Sequence, residues 1–291
     1  MVESAITSPQ AVSLAPDGTV EWAKNENVFD YTIQSVTKTF TAYYALQNGM
    51  ITDLGATRTV VGGTRSATAL GAGDVVTIED LYYAAMLPSS NNAADNIAYA
   101  ALGITGHSSF LSGFCNDMEA WYASTFGWTG FQLNTPSGLD TNITSATMIA
   151  ELLRAVHNNQ PVLEDIMYTY PNWVTAVTGT YARLVTSTNN TNMQDVPEWR
   201  GSKGGSGNGV YAMGSFWEDP EGGIHTIGVI GAPTAEHRRT DIMTIIADVL
   251  GDDPPPPDPD PVEAGRYMFR NGVLVPADGF SMQNGVPVPI T

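Results

Sequence analysis

Two of the three lysines in this chain, Lys38 and Lys203, lie in short motifs whose residue types suit acyl transfer. The first motif is Ser35-Val36-Thr37-Lys38. Positions three residues apart share a helix face, so the lysine amine can reach the serine hydroxyl. A serine hydroxyl is a weak nucleophile until a base removes its proton. Lysine is such a base only when neutral, and burial or a nearby cation lowers its pKa from the usual value of about 10.4.

A second motif, Ser89-Ser90-Asn91, follows Pro88 in a predicted loop between two helices. The Ser89 hydroxyl can relay a proton to a leaving amine, and the Asn91 amide can hold a substrate backbone. The overlapping register Ser90-Asn91-Asn92 is an alternative interpretation of the same segment. Without a catalytic role, these residues would cap a helix or form a turn.

A third motif, Gly201-Ser202-Lys203-Gly204-Gly205, comes just before a predicted strand. A lysine at a sheet edge can bind a substrate carboxylate, and its charge lowers the pKa of a neighbouring lysine. Small residues such as Gly205 allow an extended peptide to pair with that edge. The alternative is a glycine-rich connection between two strands.

In this order, Ser-x-x-Lys, Ser-x-Asn and Lys-x-Gly form the signature of penicillin-recognising enzymes with an active-site serine. The chain resembles the low-molecular-mass D-Ala-D-Ala carboxypeptidases, which are related to class A β-lactamases. Arg238 or Arg239 lies where the last helix of that family often has an arginine. The resemblance covers about residues 10 to 250. It includes three further segments: Leu81–Ala94, Asn134–Asp140 and Asn190–Asn192.

The chain departs from the family pattern at two positions. Gly204 stands where a threonine is usual, which removes a hydroxyl that the family implies for binding the substrate carboxylate. Ser206 or Ser202 is a candidate replacement for that hydroxyl. Asn92 stands where aspartate is usual, at a position that is more structural than chemical.

The resemblance implies a serine-type D-Ala-D-Ala carboxypeptidase that acts on peptidoglycan stem peptides through an acyl-enzyme on Ser35. Lys38 would activate the nucleophile, Ser89 would protonate the departing D-Ala, and Lys203 would bind its carboxylate. The backbone N–H groups of Ser35 and Ser206 are the expected oxyanion hole. Asn91 and Gly205 are expected to contact the substrate. Endopeptidase cleavage of cross-links would use the same residues.

Two other functions are weaker alternatives. A β-lactamase or esterase would need a group that promotes deacylation, and no glutamate stands out between the second and third motifs, although Glu151 and Glu164 lie there. A virion module with the same fold that binds peptidoglycan with little turnover is the non-enzymatic alternative, which Gly204 favours. Acylation of Ser35 by a fluorescent penicillin separates these classes.

The motifs would be positioned by a hairpin near the start of the chain, a helical middle, and two strands and a helix near the end. They predict an α+β fold with a β-lactamase/transpeptidase-like antiparallel sheet flanked by helices, plus a small C-terminal β-hairpin tail. The predicted elements are a hairpin within 11–31, helices at 34–49, 77–86, 93–101, 144–157 and 237–250, and strands at 209–217 and 224–231.

Composition shifts divide the chain into a peptidase domain at 1–250, a proline-rich acidic linker at 251–262 and a tail at 263–291. In the tail, Asn271-Gly272-Val273 recurs thirteen residues later as Asn284-Gly285-Val286. Asn-Gly is a strong hairpin turn signal, and so few residues cannot bury much of a core. We expect the tail to anchor the domain by self-association or by docking to virion proteins. A flexible terminus is the alternative.

Charge and composition narrow the partners. A net charge of −18 disfavours nucleic acid and anionic lipids. The four histidines lack metal-ligand spacing, Cys115 is expected to be a buried core thiol, and no cofactor is expected. β-Lactams are expected inhibitors. Residues 1–15 do not resemble a signal peptide. A phage tail component reaches the wall from outside, so we expect a virion location, with an extracellular or periplasmic location as the alternative.

Overall fold

The computed structural model describes residues 5–62, 70–106, 108–139, 141–169, 172–175, 182–185, 193, 196–251, 267–270, 273–276, 280–283 and 286–289. The chain forms two compact units, Met1–Pro254 and Pro255–Thr291. Asp140 and the segment 190–192, which resemble the family in sequence, lie outside the described residues, as does most of the linker.

The first unit contains the predicted hairpin, the five predicted helices and the two predicted strands, together with further strands and helices that the sequence did not predict. Its strands are β1 (Gln10–Leu14), β2 (Val20–Lys24), β3 (Thr57–Thr59), β4 (Val75–Thr77), β5 (Asn172–Thr175), β6 (Ala182–Val185), β7 (Trp199–Gly207), β8 (Val210–Glu218) and β9 (Ile224–Ala232). Its helices are α1 (Thr37–Gln47), α2 (Ile78–Met86), α3 (Asn91–Ala101), α4 (Ser109–Phe126), α5 (Ala146–Asn159), α6 (Pro161–Tyr168) and α7 (Ala235–Leu250).

The main sheet has five antiparallel strands in the order β2-β1-β9-β8-β7. The N-terminal hairpin closes through Gly18, whose φ of +91° suits glycine. Because β1 pairs with β9, both ends of the unit meet in one sheet. This arrangement confirms the predicted antiparallel α+β fold, and it places β7 at an edge of the sheet.

The sheet carries a hydrophobic core on each face. The larger core unites α1 to α6 with the sheet, while the smaller core lies beneath α7. In the larger core, Phe40 of α1 packs edge-on against Tyr122 of α4, with ring centroids 5.4 Å apart. Tyr122 stacks in turn on Trp128 at 5.2 Å. Such aromatic packing stabilises the position of α1, which carries Lys38 and directly follows the turn that contains Ser35.

Two details of the fold concern the predicted elements near the motifs. The helix predicted at 77–86 is α2, which Thr77 caps in a capping box with Asp80. The strand predicted at 209–217 is β8, and the Lys203 motif just before it lies inside a further strand, β7, that the sequence did not predict. Its glycines have low strand propensity, and the motif lacks the polar and apolar alternation that marks a half-buried strand.

The second unit contains two antiparallel hairpins, as predicted from the repeat. In the first, β10 (Tyr267–Arg270) pairs with β11 (Val273–Pro276). In the second, β12 (Phe280–Gln283) pairs with β13 (Val286–Pro289).

Among all helices of the described residues, none has the length and hydropathy needed to cross a membrane.

Candidate active site

Ser35 lies in a single 3-10 turn, Gln34–Val36, that leads directly into α1. Gln34, the residue before it, has φ +51°, a region that non-glycine residues rarely occupy. The chain at Gly138 packs closely against this residue, since a Cβ on Gly138 would lie 2.0 Å from the Gln34 carbonyl oxygen. Strain held by close packing is a frequent property of functional sites.

Lys38, one helical turn beyond Ser35, is completely buried. Its Nζ lies 2.7 Å from the Ser35 Oγ, 2.7 Å from the Asn91 Oδ1 and 2.7 Å from the Ser137 carbonyl oxygen. An ammonium group can donate all three of these hydrogen bonds. Each acceptor is neutral, so hydrogen bonding fixes the amine beside Ser35 without a carboxylate in contact.

Burial lowers the pKa of Lys38 to about 7, while the charge of Asp95 opposes that effect. An isolated ammonium is costly to bury, so the neutral amine becomes accessible near neutral pH. In the neutral state, the lone pair of Nζ can accept the Ser35 hydroxyl proton across the same 2.7 Å contact. The pair therefore has the geometry and the proton affinity of a nucleophile and its general base.

Ser89 and Lys203 form a second polar contact. The Lys203 Nζ donates to the Ser89 Oγ at 2.9 Å and to the Gly204 carbonyl oxygen at 2.7 Å. Lys203 is also completely buried. Burial, followed by repulsion from Lys38 and Arg238, holds the pKa of Lys203 well below its usual range. An anion that enters the site would oppose this effect and favour the ammonium form.

The two serines of the Ser-x-Asn segment make different contacts. The Ser90 hydroxyl caps α3 by accepting from the Ala93 N–H at 3.3 Å. Ser89 instead has φ +62° and accepts from Lys203. Ser90 thus makes a structural hydrogen bond, and Ser89 is the hydroxyl that contacts Lys203.

Gly205 brings the edge of β7 against the nucleophile turn. A Cβ on Gly205 would lie 2.3 Å from the Ile33 carbonyl oxygen and 2.8 Å from the Ser35 nitrogen. Only a residue without a side chain permits this approach. The next residue, Ser206, is exposed. Within the described part of the chain, β7 pairs with β8 alone and lies at the edge of the sheet, the kind of position at which an extended peptide can pair.

The two candidate arginines on α7 differ in location. Arg238 is buried, and its Nη1 donates to the backbone carbonyl of Ala212 at 3.1 Å and of Gly205 at 3.4 Å. Burial lowers the pKa of Arg238 to about 10. Arg239 lies 3.9 Å from Glu236 in a pair along the helix. Arg238 is therefore the arginine that brings positive charge to β7 beside Lys203.

Five of the seven residues predicted from the three motifs lie in two hydrogen-bonded groups: Ser35, Lys38 and Asn91 in one, Ser89 and Lys203 in the other. Gly205 abuts the first group and Ser206 follows it on the strand.

The glutamates considered for deacylation have other partners. Glu151 accepts the indole N–H of Trp128, and Glu164 lies 2.8 Å from His157. Among the described residues, no cluster of three or more His, Cys, Asp or Glu side chains could hold a metal ion.

Sequence reasoning missed two contributors to the site. The Ser137 carbonyl oxygen accepts from Lys38, but a backbone carbonyl leaves no mark in residue type. Asp95 acts on Lys38 through its charge, although it belongs to none of the three motifs. Its only signal was its position, four residues after Asn91 on the same face of α3.

Comparison with known proteins agrees with this geometry. The model of the D-alanyl-D-alanine carboxypeptidase family matches residues 10–209. This chain therefore belongs to the D-alanyl-D-alanine carboxypeptidase family of serine hydrolases, as its motifs predicted. A search of curated protein sequences finds no match.

Solved structures show the same fold at low sequence identity. A serine-to-alanine variant of a Streptomyces DD-transpeptidase aligns with a TM-score of 0.73 and 20% identity, covering 84% of this chain and 98% of that one. The D-alanyl-D-alanine carboxypeptidase of Mycobacterium tuberculosis aligns with a TM-score of 0.69 and 20% identity, covering 84% and 90%. A penicillin-binding protein of Listeria monocytogenes in its ampicillin-bound form aligns with a TM-score of 0.70 and 18% identity, covering 85% and 98%.

Proposed function

We propose that this chain removes the terminal D-Ala from peptidoglycan stem peptides through an acyl-enzyme on Ser35. The observation that carries the proposal is the 2.7 Å contact between the Ser35 Oγ and the fully buried Nζ of Lys38. A buried amine with a pKa of about 7 is matched to proton abstraction from a hydroxyl at neutral pH.

In the acylation step, the Ser35 Oγ attacks the carbonyl carbon of the penultimate D-Ala while Lys38 takes the hydroxyl proton. The backbone N–H groups of Ser35 and Ser206 stabilise the oxyanion of the tetrahedral intermediate. The carbon–nitrogen bond then breaks, and Ser89 protonates the departing amine and regains a proton from Lys203, its 2.9 Å neighbour. Water afterwards attacks the ester carbonyl carbon and gives one proton through Ser89 to Lys203. The bond between that carbon and the Ser35 Oγ then breaks, and Ser35 takes its proton back from Lys38 as the shortened peptide leaves.

Recognition of the terminal carboxylate rests on positive charge at β7. Lys203 provides an ammonium at the strand, and the buried Arg238 adds a second cation beneath it. Gly204 lacks the hydroxyl that would complete this site, and the exposed Ser206 is the replacement we favour over the buried Ser202. Asn91, whose Oδ1 faces Lys38, keeps its Nδ2 donor for the substrate backbone.

The test is release of D-Ala from diacetyl-Lys-D-Ala-D-Ala, measured for the full chain and for Ser35→Ala. The proposal requires release by the full chain and none by the variant. A cross-linked muropeptide dimer, assayed beside it, distinguishes carboxypeptidase from endopeptidase action. Penicillin acylation without release from either substrate would favour the virion module with little turnover, and rapid penicillin hydrolysis would favour a β-lactamase.

We further propose that residues 263–291 anchor the peptidase to another copy or to a virion protein, as in a phage tail. The separate compact unit of paired hairpins supports this division, because so short a unit has little core of its own. Exposed strand edges seek partners. Residues 1–251 expressed alone should melt cooperatively and keep hydrolase activity. Loss of the fold on truncation would show that the tail completes the catalytic unit.

A further inference from the structure

Asp95 lies on α3, the helix that supplies one of the hydrogen-bond acceptors of Lys38. Asn91 opens α3 and accepts from the Lys38 Nζ at 2.7 Å. Asp95 follows four residues later in α3, so Asp95 and Asn91 lie on the same face of the helix. α3 packs directly on α1, the helix of Lys38. The carboxyl group is only partly exposed, in a region otherwise filled by the core of the domain.

The charges of Asp95 and Lys38 act on each other. Lys38 has only neutral hydrogen-bond acceptors, and the Asp95 charge is what favours its ammonium form against burial. In return, burial raises the pKa of Asp95 to about 6, and the Lys38 charge limits that rise. Both groups therefore change charge near neutral pH, and the state of one biases the state of the other.

Other titratable groups face this pair from the neighbouring elements. Lys203 of β7 lies near Lys38, and repulsion between the two ammonium groups opposes protonation of both. Cys115 of α4 and Tyr99 of α3 face Asp95, whose charge raises their pKa values. Behind these, Glu119 faces Cys115 and Arg58 faces Tyr99. Among these groups, Lys38 is the one whose charge favours ionised Asp95.

We propose that Asp95 is a positioning residue for the proton on Lys38, and that its carboxylate, one helical turn beyond Asn91 on α3, makes Lys38 a stronger base for Ser35. An ionised Asp95 stabilises the ammonium that forms when Lys38 takes the Ser35 proton. It therefore makes Lys38 a stronger base. Acylation then begins at a pH closer to neutral than it would without the Asp95 charge. The catalytic part of this inference rests on the proposed function, whereas its electrostatic part does not.

Because the chain has only three lysines, the electrostatic part can be measured directly. Full-length protein labelled with ¹³C at lysine Cε is titrated by NMR, and Lys38→Arg identifies the Lys38 signal. We expect the Lys38 midpoint to fall by about one pH unit in Asp95→Asn, since an opposite charge at close range shifts a pKa by about 1 to 3 units. Asp95→Glu, which keeps the charge, should stay near wild type.

Asp117→Asn is the matched control, because it removes the same charge from an exposed position on α4. Its Lys38 midpoint should not move. If the Asp95→Asn midpoint stays within about 0.2 units of wild type, the inference is wrong, and an equal shift in Asp117→Asn would also overturn it.

The catalytic part is measured by the pH dependence of acylation with a fluorescent penicillin. In Asp95→Asn the acid limb should move down by about one unit, and the plateau should fall because the base is weaker. An unshifted limb in acylating enzyme refutes the role of Asp95 while the proposed function stands. A shifted NMR midpoint in protein that is never acylated refutes the proposed function while the electrostatic inference stands.

Discussion

Replacing Gly205 with alanine tests whether β7 must touch the nucleophile turn. The added Cβ would lie 2.3 Å from the Ile33 carbonyl oxygen and 2.8 Å from the Ser35 nitrogen. Restoring an ordinary contact distance requires the strand and the turn to separate by about 1 Å. Overpacking of this kind costs about 1 to 3 kcal/mol of stability. A displacement of about 1 Å at a reacting group can cost about 100-fold in rate.

We therefore expect Gly205→Ala to fold with a lowered melting temperature and to be acylated by penicillin about 100-fold more slowly. Gly113→Ala is the matched control, since its Cβ would meet nothing within 4 Å at an exposed position of α4. That control should keep the wild-type acylation rate and gain up to about 1 kcal/mol of stability. Acylation of folded Gly205→Ala within about threefold of wild type would refute the close fit of β7 to Ser35.

Three further predictions follow from the structure. Because Lys38 must be neutral and its pKa is about 7, the acylation rate should fall about tenfold per pH unit below pH 7 and level off above pH 7. A rate that does not change between pH 5 and 8 would exclude Lys38 as the base. Lys203→Ala should slow both D-Ala release and penicillin acylation by about 30-fold or more, because Lys203 would pair with the carboxylate of either ligand and removing one partner of a buried charge pair costs at least about 2 kcal/mol. Unchanged kinetics for both ligands would assign the carboxylate to Arg238. Asp241→Asn should destabilise the domain by about 2 kcal/mol in thermal melts, because the buried carboxylate accepts hydrogen bonds from the N–H groups of Thr7 and Ser8 at 2.8 Å each. The folded variant should be acylated at the wild-type rate.

The parts of the fold that sequence predicted well are those fixed by local interactions. The predicted hairpin turns at Gly18 and the helix predicted at 77–86 is capped by Thr77 and Asp80, and both features depend on residues a few positions apart. Ser35 and Lys38 were predictable for the same reason, because one helical turn joins them. The spacing of three residues therefore encodes both members of the nucleophile–base pair.

The remaining parts depend on packing between distant segments. The link from Lys203 to Ser89 spans 114 residues, and only the assembled sheet and helices bring the two together. Asp95 reaches Lys38 because α3 packs on α1, which no short spacing encodes. The sequence did not predict that the Lys203 motif forms a strand, because the motif is rich in glycine. Gly205 allows β7 to approach Ser35 closely, and that requirement overrides ordinary strand composition.

The most direct test of the proposed function is to locate the acyl group formed with a fluorescent penicillin. Full-length protein is incubated with the penicillin at pH 8, where Lys38 is largely neutral, and then digested and mapped by mass spectrometry. We expect one adduct per chain, on the peptide that contains Ser35, and none in Ser35→Ala. An adduct on another residue, or acylation that survives in Ser35→Ala, would contradict the assignment of Ser35 as the nucleophile.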